Sequence, residues 1–166
     1  AAKQDRTFVI MTMHRTHGIP PEFLRKGRFD EVFFVDLPDV EQRRQIFEIH
    51  LRKRGINIDA MGMSPEDWQE ILRRTENFVG SELEAAVIES RFLAFQRNVA
   101  DDSVPPDTKA QPAFEDLLAA VTAIKPLATL DAEGVTAIRE FCQSRARNVC
   151  SPSSITRTTP NRSLKI

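Results

Sequence analysis

A short α/β remnant leading into an all-helical bundle is the fold class that these 166 residues predict. Three observations carry it. Two brief, β-rich apolar runs lie near the start, at 8–11 and 32–35. Amphipathic helical periodicity then recurs from residue 39 onward. Proline, glycine and serine fall between the periodic stretches and divide them.

Phe8, Val9, Ile10 and Met11 form a continuous apolar run that ends in the polar stretch 12–18, and Val32, Phe33, Phe34 and Val35 form a second, closed by Leu37 and Pro38. Neither alternates, so both are expected to be strands buried on two faces, as in a parallel sheet. A core strand that starts this early has nothing before it to pair with, which carries the expectation that the chain is truncated. Between the runs, Pro20 and Pro21 can open a short helix through Leu24 that Gly27 stops.

Asp39 is the expected N-cap of a helix running to Arg54, with Val40, Ile46, Phe47, Ile49 and Leu51 as its apolar stripe and Gly55 as its end. Ser64, Pro65, Glu66 and Asp67 supply a cap, a proline at the first helical position and two acids in the first turn, ahead of Trp68, Ile71 and Leu72. The longest helix is expected from Ser81, as its cap, to about Asn98, burying Leu83, Val87, Ile88, Phe92 and Phe95. Three prolines mark 101–112 as a loop. Two more helices are expected over 114–124 and 131–145. The Ser/Thr/Arg-rich tail 151–166 has no periodicity and is expected to be disordered.

Composition narrows the function. Lys plus Arg number 23 against 24 Asp plus Glu, so there is no global field to draw in nucleic acid or anionic lipid, and any anion site must be local. Cys142 and Cys150 have no CxxC pairing and no histidine at ligand spacing, so ordinary reduced thiols are expected and no metal site. No apolar run approaches the roughly 20 residues of a membrane span, and the polar start lacks a signal-peptide core. A soluble intracellular protein is the expectation.

The densest information lies in Leu24, Arg25, Lys26, Gly27, Arg28, Phe29 and Asp30. Alone, such a cluster is a solvated turn. With the run from Val9 to His14 before it and Phe34 to Pro38 after it, it resembles the AAA ATPase pattern of a sensor strand, a proline-containing turn, LRxGRFD and a strand closing on LP. The stretch from Ile19 to Glu31 is especially similar to a bacterial and plastid-encoded AAA group related to the stage V sporulation protein K type. The resemblance runs from Phe8 to about Arg97, and more loosely to Arg147 through Ile138, Arg139, Glu140 and Phe141.

That resemblance implies a domain plan. Residues 1–38 would be the last strands of a P-loop AAA+ α/β domain, 39–100 the helical lid, 101–112 a loop, 113–150 C-terminal helices and 151–166 the tail. It implies that Arg25 and Arg28 are arginine fingers acting in trans on a neighbouring subunit's ATP, where a guanidinium offsets the charge that spreads over the γ-phosphoryl oxygens in the transition state. It implies that Ile46 and His50, within the IxxIHxRK-like helix, lie against adenine, and that Gly80 and Ser81 let backbone approach the base and ribose.

One position departs from the pattern: His14 stands where relatives carry a polar sensor residue, usually Asn, that orients the attacking water. A histidine offers one hydrogen bond, is larger, and titrates near neutrality. The sequence also contains no GxxxxGK[ST] loop and no strand ending in paired acids ahead of the sensor strand. The resemblance therefore implies ATP, with Mg²⁺ held by a preceding part of the protein, in a homo-oligomer, a hexameric ring, that remodels a protein substrate in the bacterial cytoplasm or the plastid stroma. These residues alone are expected to be inactive. Two other readings remain open: a degenerate AAA protein that binds nucleotide or a partner without turnover, and a plain helical interaction domain.

Overall fold

The computed structural model describes residues 8–15, 20, 22, 25, 29–106, 108–143 and 145–149. Strand β1 (Phe33–Phe34) precedes helix α1 (Val40–Lys53), a 3₁₀ turn (Asp59–Met61), α2 (Pro65–Arg74), α3 (Gly80–Asn98), α4 (Phe114–Ala123), the single turn α5 (Leu127–Leu130), α6 (Ala132–Gln143) and β2 (Arg147–Asn148). The α/β remnant plus helical lid read from the sequence is the fold observed.

The starts of the first two helices follow from local chemistry. Asp39 accepts from the Gln42 backbone at 2.9 Å while the Gln42 side chain accepts from the Asp39 N–H at 3.0 Å, and Ser64 and Asp67 make the same reciprocal pair at 3.1 and 2.9 Å. Each box satisfies two of the four N–H groups that a helix start leaves open. Gly55 ends α1 at φ +70°, a left-handed conformation in which a Cβ would be strained.

The core lies where α3 packs between α1 and α4. Phe47 and Leu51 from α1, Ile71 from α2, Leu83 and Val87 from α3, and Leu117 and Val121 from α4 are all buried in it. Trp68 closes one side, its ring centroid 6.3 Å from that of Phe47, with the Arg44 guanidinium 5.3 Å above the indole. Buried Arg43 ties the bundle to its entry segment: it donates to the Pro38 carbonyl at 3.0 Å and to the Leu72 carbonyl at 3.1 Å. Such a side chain holds two carbonyls whose loss of water would otherwise be uncompensated.

Four sequence expectations change. Among the described residues, 8–11 form no strand, and Phe8 and Ile10 are 87% and 77% exposed; without a neighbouring strand the backbone has no ladder to join. The second run shortens to β1, whose parallel partner is β2, in register Phe33 with Arg147 and Phe34 with Asn148; that segment falls at the end of the helix expected over 131–145. Val40 and Ile49 face outward from α1, so its stripe is narrower than its apolar content. On α3 the buried positions are Leu83, Ala86, Val87, Ser90 and Ala94, while Ile88, Phe92 and Phe95 are exposed. Small residues let α1 and α4 approach closely, and the larger ones fall on the opposite face.

The expected tail 151–166, most of the expected helix 20–24 and Cys150 lie outside the described residues; Cys142 is a buried free thiol. Replacing Phe47 with Ala should destabilise the bundle by about 3–5 kcal/mol, the usual cost of emptying a large buried aromatic site. Urea unfolding at an unchanged m-value checks this; a loss under about 1 kcal/mol would mean that Phe47 is not central to the core.

Candidate functional site

The candidate site grows from the contact of α1 with the start of α3. Ile46 and His50 are one turn apart on α1, the first half-buried against the core and the second 18% exposed at its side chain. The imidazole Nδ1 stands 3.4 Å from Glu84 Oε1, at ion-pair distance, but outside hydrogen-bond geometry, so it is a buried nitrogen with no hydrogen-bond partner. Arg54 Nη2 donates to the same oxygen at 2.9 Å. Its hydrogen bond, with the nearby His50, holds the Glu84 carboxyl below the usual glutamate range.

Glu84 lies one turn beyond Gly80, the first residue of α3. The Val79 N–H is held by Glu82 Oε2 at 2.8 Å, and the Glu82 and Leu83 amides return to the Val79 carbonyl at 3.0 and 3.2 Å. Glu82 therefore does the capping that the sequence assigned to Ser81, which is exposed in the first turn and makes no cap bond. The amides of Gly80 and Ser81 come too early in the helix to have an acceptor within it. A Cβ built on Gly80 would meet nothing within 4 Å, so the space over this turn is open. The result is a helix N-terminus with its partial positive charge, an unsatisfied imidazole nitrogen one helix away, and Ile46 one turn back along α1.

The other sequence-predicted residues are not joined to this cluster. His14 is exposed in a bend, and Arg25 is exposed with its backbone N–H on the Glu22 carbonyl at 3.3 Å; Arg28 lies outside the described residues. Sequence reasoning missed the Arg54–Glu84 pair, because its members are 30 residues apart and no local pattern links them. It also missed the clamp of Asp36 by Arg139, whose Nε and Nη2 reach Oδ1 at 3.0 and 2.8 Å and fasten the end of β1 to α6. An open groove of about 420 Å³ between α1 and α2, lined by Arg43, Trp68 and Arg73 among others, shares no residue with the cluster.

Comparison with known proteins agrees with this architecture. Residues 65–104 match the family model described as the AAA+ lid domain. The AAA domain of FIGL-1, solved in complex with ADP, superposes with a TM-score of 0.57 at 21% identity over 72% of this chain and 39% of its own, a likeness of fold. The chain belongs to the AAA ATPases and carries their helical lid. Within that family it is 34% identical over 142 residues to the AAA domain-containing protein ycf46 of Gracilaria tenuistipitata var. liui, covering 86% of this chain and 26% of the relative. It is 38% identical over 90 residues to the ATP-dependent zinc metalloprotease FtsH 1 of Sphaerobacter thermophilus, covering 54% of this chain and 13% of that protein. It thus spans about a quarter of the length of the ycf46 relatives it matches.

The Glu84 environment yields a pH prediction. A carboxyl whose folded pKa is depressed contributes stability above its unfolded pKa and loses it as pH falls through the folded value. The Glu84 side-chain carbon should therefore titrate below the ordinary glutamate midpoint by NMR, and Arg54→Ala should move it back up. A midpoint indifferent to Arg54→Ala would show that the ion pair does not form.

Proposed function

We propose that this chain is the arginine-finger edge and lid of an ATP-hydrolysing AAA subunit, working in a homo-oligomeric, hexameric ring that remodels a protein substrate. The observation that carries the reading is the His50–Glu84–Gly80 corner within an AAA+ lid. An unsatisfied imidazole nitrogen, an open helix N-terminus and an apolar Ile46 are the donor set and surface that a purine nucleotide requires. ATP fits these residues: Ile46 and His50 would flank the base, and Gly80 and Ser81 would admit it closely. Bound ATP supplies the scissile phosphoanhydride. The lid's task is to close over the base and exclude water.

The rest of the assignment is chemical. The chain has no GxxxxGK[ST] loop, so the phosphates and their Mg²⁺ would be held by residues outside these 166, which alone would not turn over ATP. Arg25 and Arg28 would reach a neighbour's γ-phosphate, and His14 would orient the attacking water with one hydrogen bond. In the described residues no helix is long and apolar enough to cross a membrane; the cytoplasm of a bacterium or a plastid stroma suits this reading. His14 in the sensor position favours one second reading, a degenerate subunit that binds nucleotide or a partner without turnover.

One set of titrations and rate measurements on the full-length protein tests both parts. Arg25→Ala or Arg28→Ala should keep nucleotide affinity within a few fold while lowering kcat by about 10³, because the lost contact forms in the transition state. His50→Ala should weaken ATP and ADP equally, by about 1–2 kcal/mol. A finger variant that raises KM at constant kcat, or a His50 variant with unchanged affinities, overturns the corresponding role. Absence of turnover in wild type, restored by His14→Asn, would establish the degenerate reading.

A further inference from the structure

Helix α3 carries two apolar stripes, and only one is used by the bundle. Leu83, Val87, Ser90 and Ala94 pack inward. Ile88, Phe92, Phe95 and Val99 repeat the same four-three-four spacing on the outer face and are 49%, 53%, 44% and 48% exposed. A stripe of that spacing is the seam of a paired helix, and two phenylalanines at its centre exceed what scattered surface residues require.

Charge selects the occupant. In heptad terms Phe92 and Val99 take a positions, and Ile88 and Phe95 take d. The flanks are then Glu89 and Gln96 on one side and Glu84, Arg91 and Asn98 on the other. A parallel copy would oppose Glu84 with Glu89 across the seam, a like-charge pair. An antiparallel copy stacks Phe92 on Phe95 and Ile88 on Val99, and sets Glu89 opposite Gln96 and Arg91 opposite Asn98, with no like charges facing. Arg91 Nε is buried without a hydrogen-bond partner, and this arrangement gives its guanidinium an amide neighbour. The same residues appear on both sides of such a contact, as a two-fold interface requires.

We propose that the outer face of α3 is a self-association surface on which a second copy of this chain docks antiparallel, Phe92 against the partner's Phe95. The contact is isologous and closes at two copies. It is therefore separate from a head-to-tail ring interface and does not depend on the nucleotide reading.

Sedimentation velocity on the 166-residue chain over about 5–200 µM tests it, a range suited to a small interface. The expected result is a concentration-dependent dimer that Phe92→Glu or Phe95→Glu weakens at least about tenfold by burying a carboxylate. Both positions are exposed, so circular dichroism and melting temperature should stay at wild-type values. In a C142S/C150S background, mixing Phe92→Cys with Phe95→Cys chains should give more oxidised cross-link than either alone. A monomer at every concentration overturns the proposal. So does an oligomer indifferent to both glutamates, and so does preferential cross-linking of position 92 to itself.

Discussion

Close approach of α3 to α1 and α4 is the constraint on which the rest of the molecule depends. That approach needs small side chains at Ala86, Ser90, Ala94 and Ala120, all buried, beside the larger Phe47, Leu83, Val87 and Leu117. Small residues bring the backbones together, and large ones fill what remains at interior density. Everything functional is referenced to this packing. His50 meets Glu84 only because α1 lies on α3, and the open first turn of α3 is held at a fixed height because Leu83, three residues later, is fully buried.

Two polar ties extend the frame beyond the core. Asp116 accepts from the Ala113 amide and pairs with Arg97, joining the end of α3 to the start of α4 across the 101–112 loop. Arg43 joins the entry segment to α2 through two carbonyls. Both are buried or nearly so, where an unmatched partner costs more than the bond contributes. They act as registration devices as much as sources of stability.

Much of this was legible in the sequence, for identifiable reasons. Caps are local chemistry, so Asp39 and Ser64 declared their helices, and Gly55 declared an end. Trp68, Ile71 and Leu72 showed one stripe and were buried as expected. Where a helix carries two stripes, composition misleads: α3 hides its alanines and shows its phenylalanines, and only the neighbouring helices decide between them. Strand 8–11 failed because a strand needs partners that no property of its own residues supplies. The site was half legible. Family motifs pointed to His50 and Gly80, but Glu84, Arg54 and Glu82 act through distant pairing or displaced capping that no short pattern encodes.

The central claim is that α1, α3 and α4 form one cooperative unit, while residues 8–15 lie outside it. Native-state hydrogen exchange across the chain tests this most directly. The account predicts that core amides of α1, α3 and α4 exchange with a common opening free energy and that amides 8–15 exchange near the rate of an unstructured chain. Exchange from α4 in an earlier, separate step, or protection of 8–11 equal to that of α3, would contradict it.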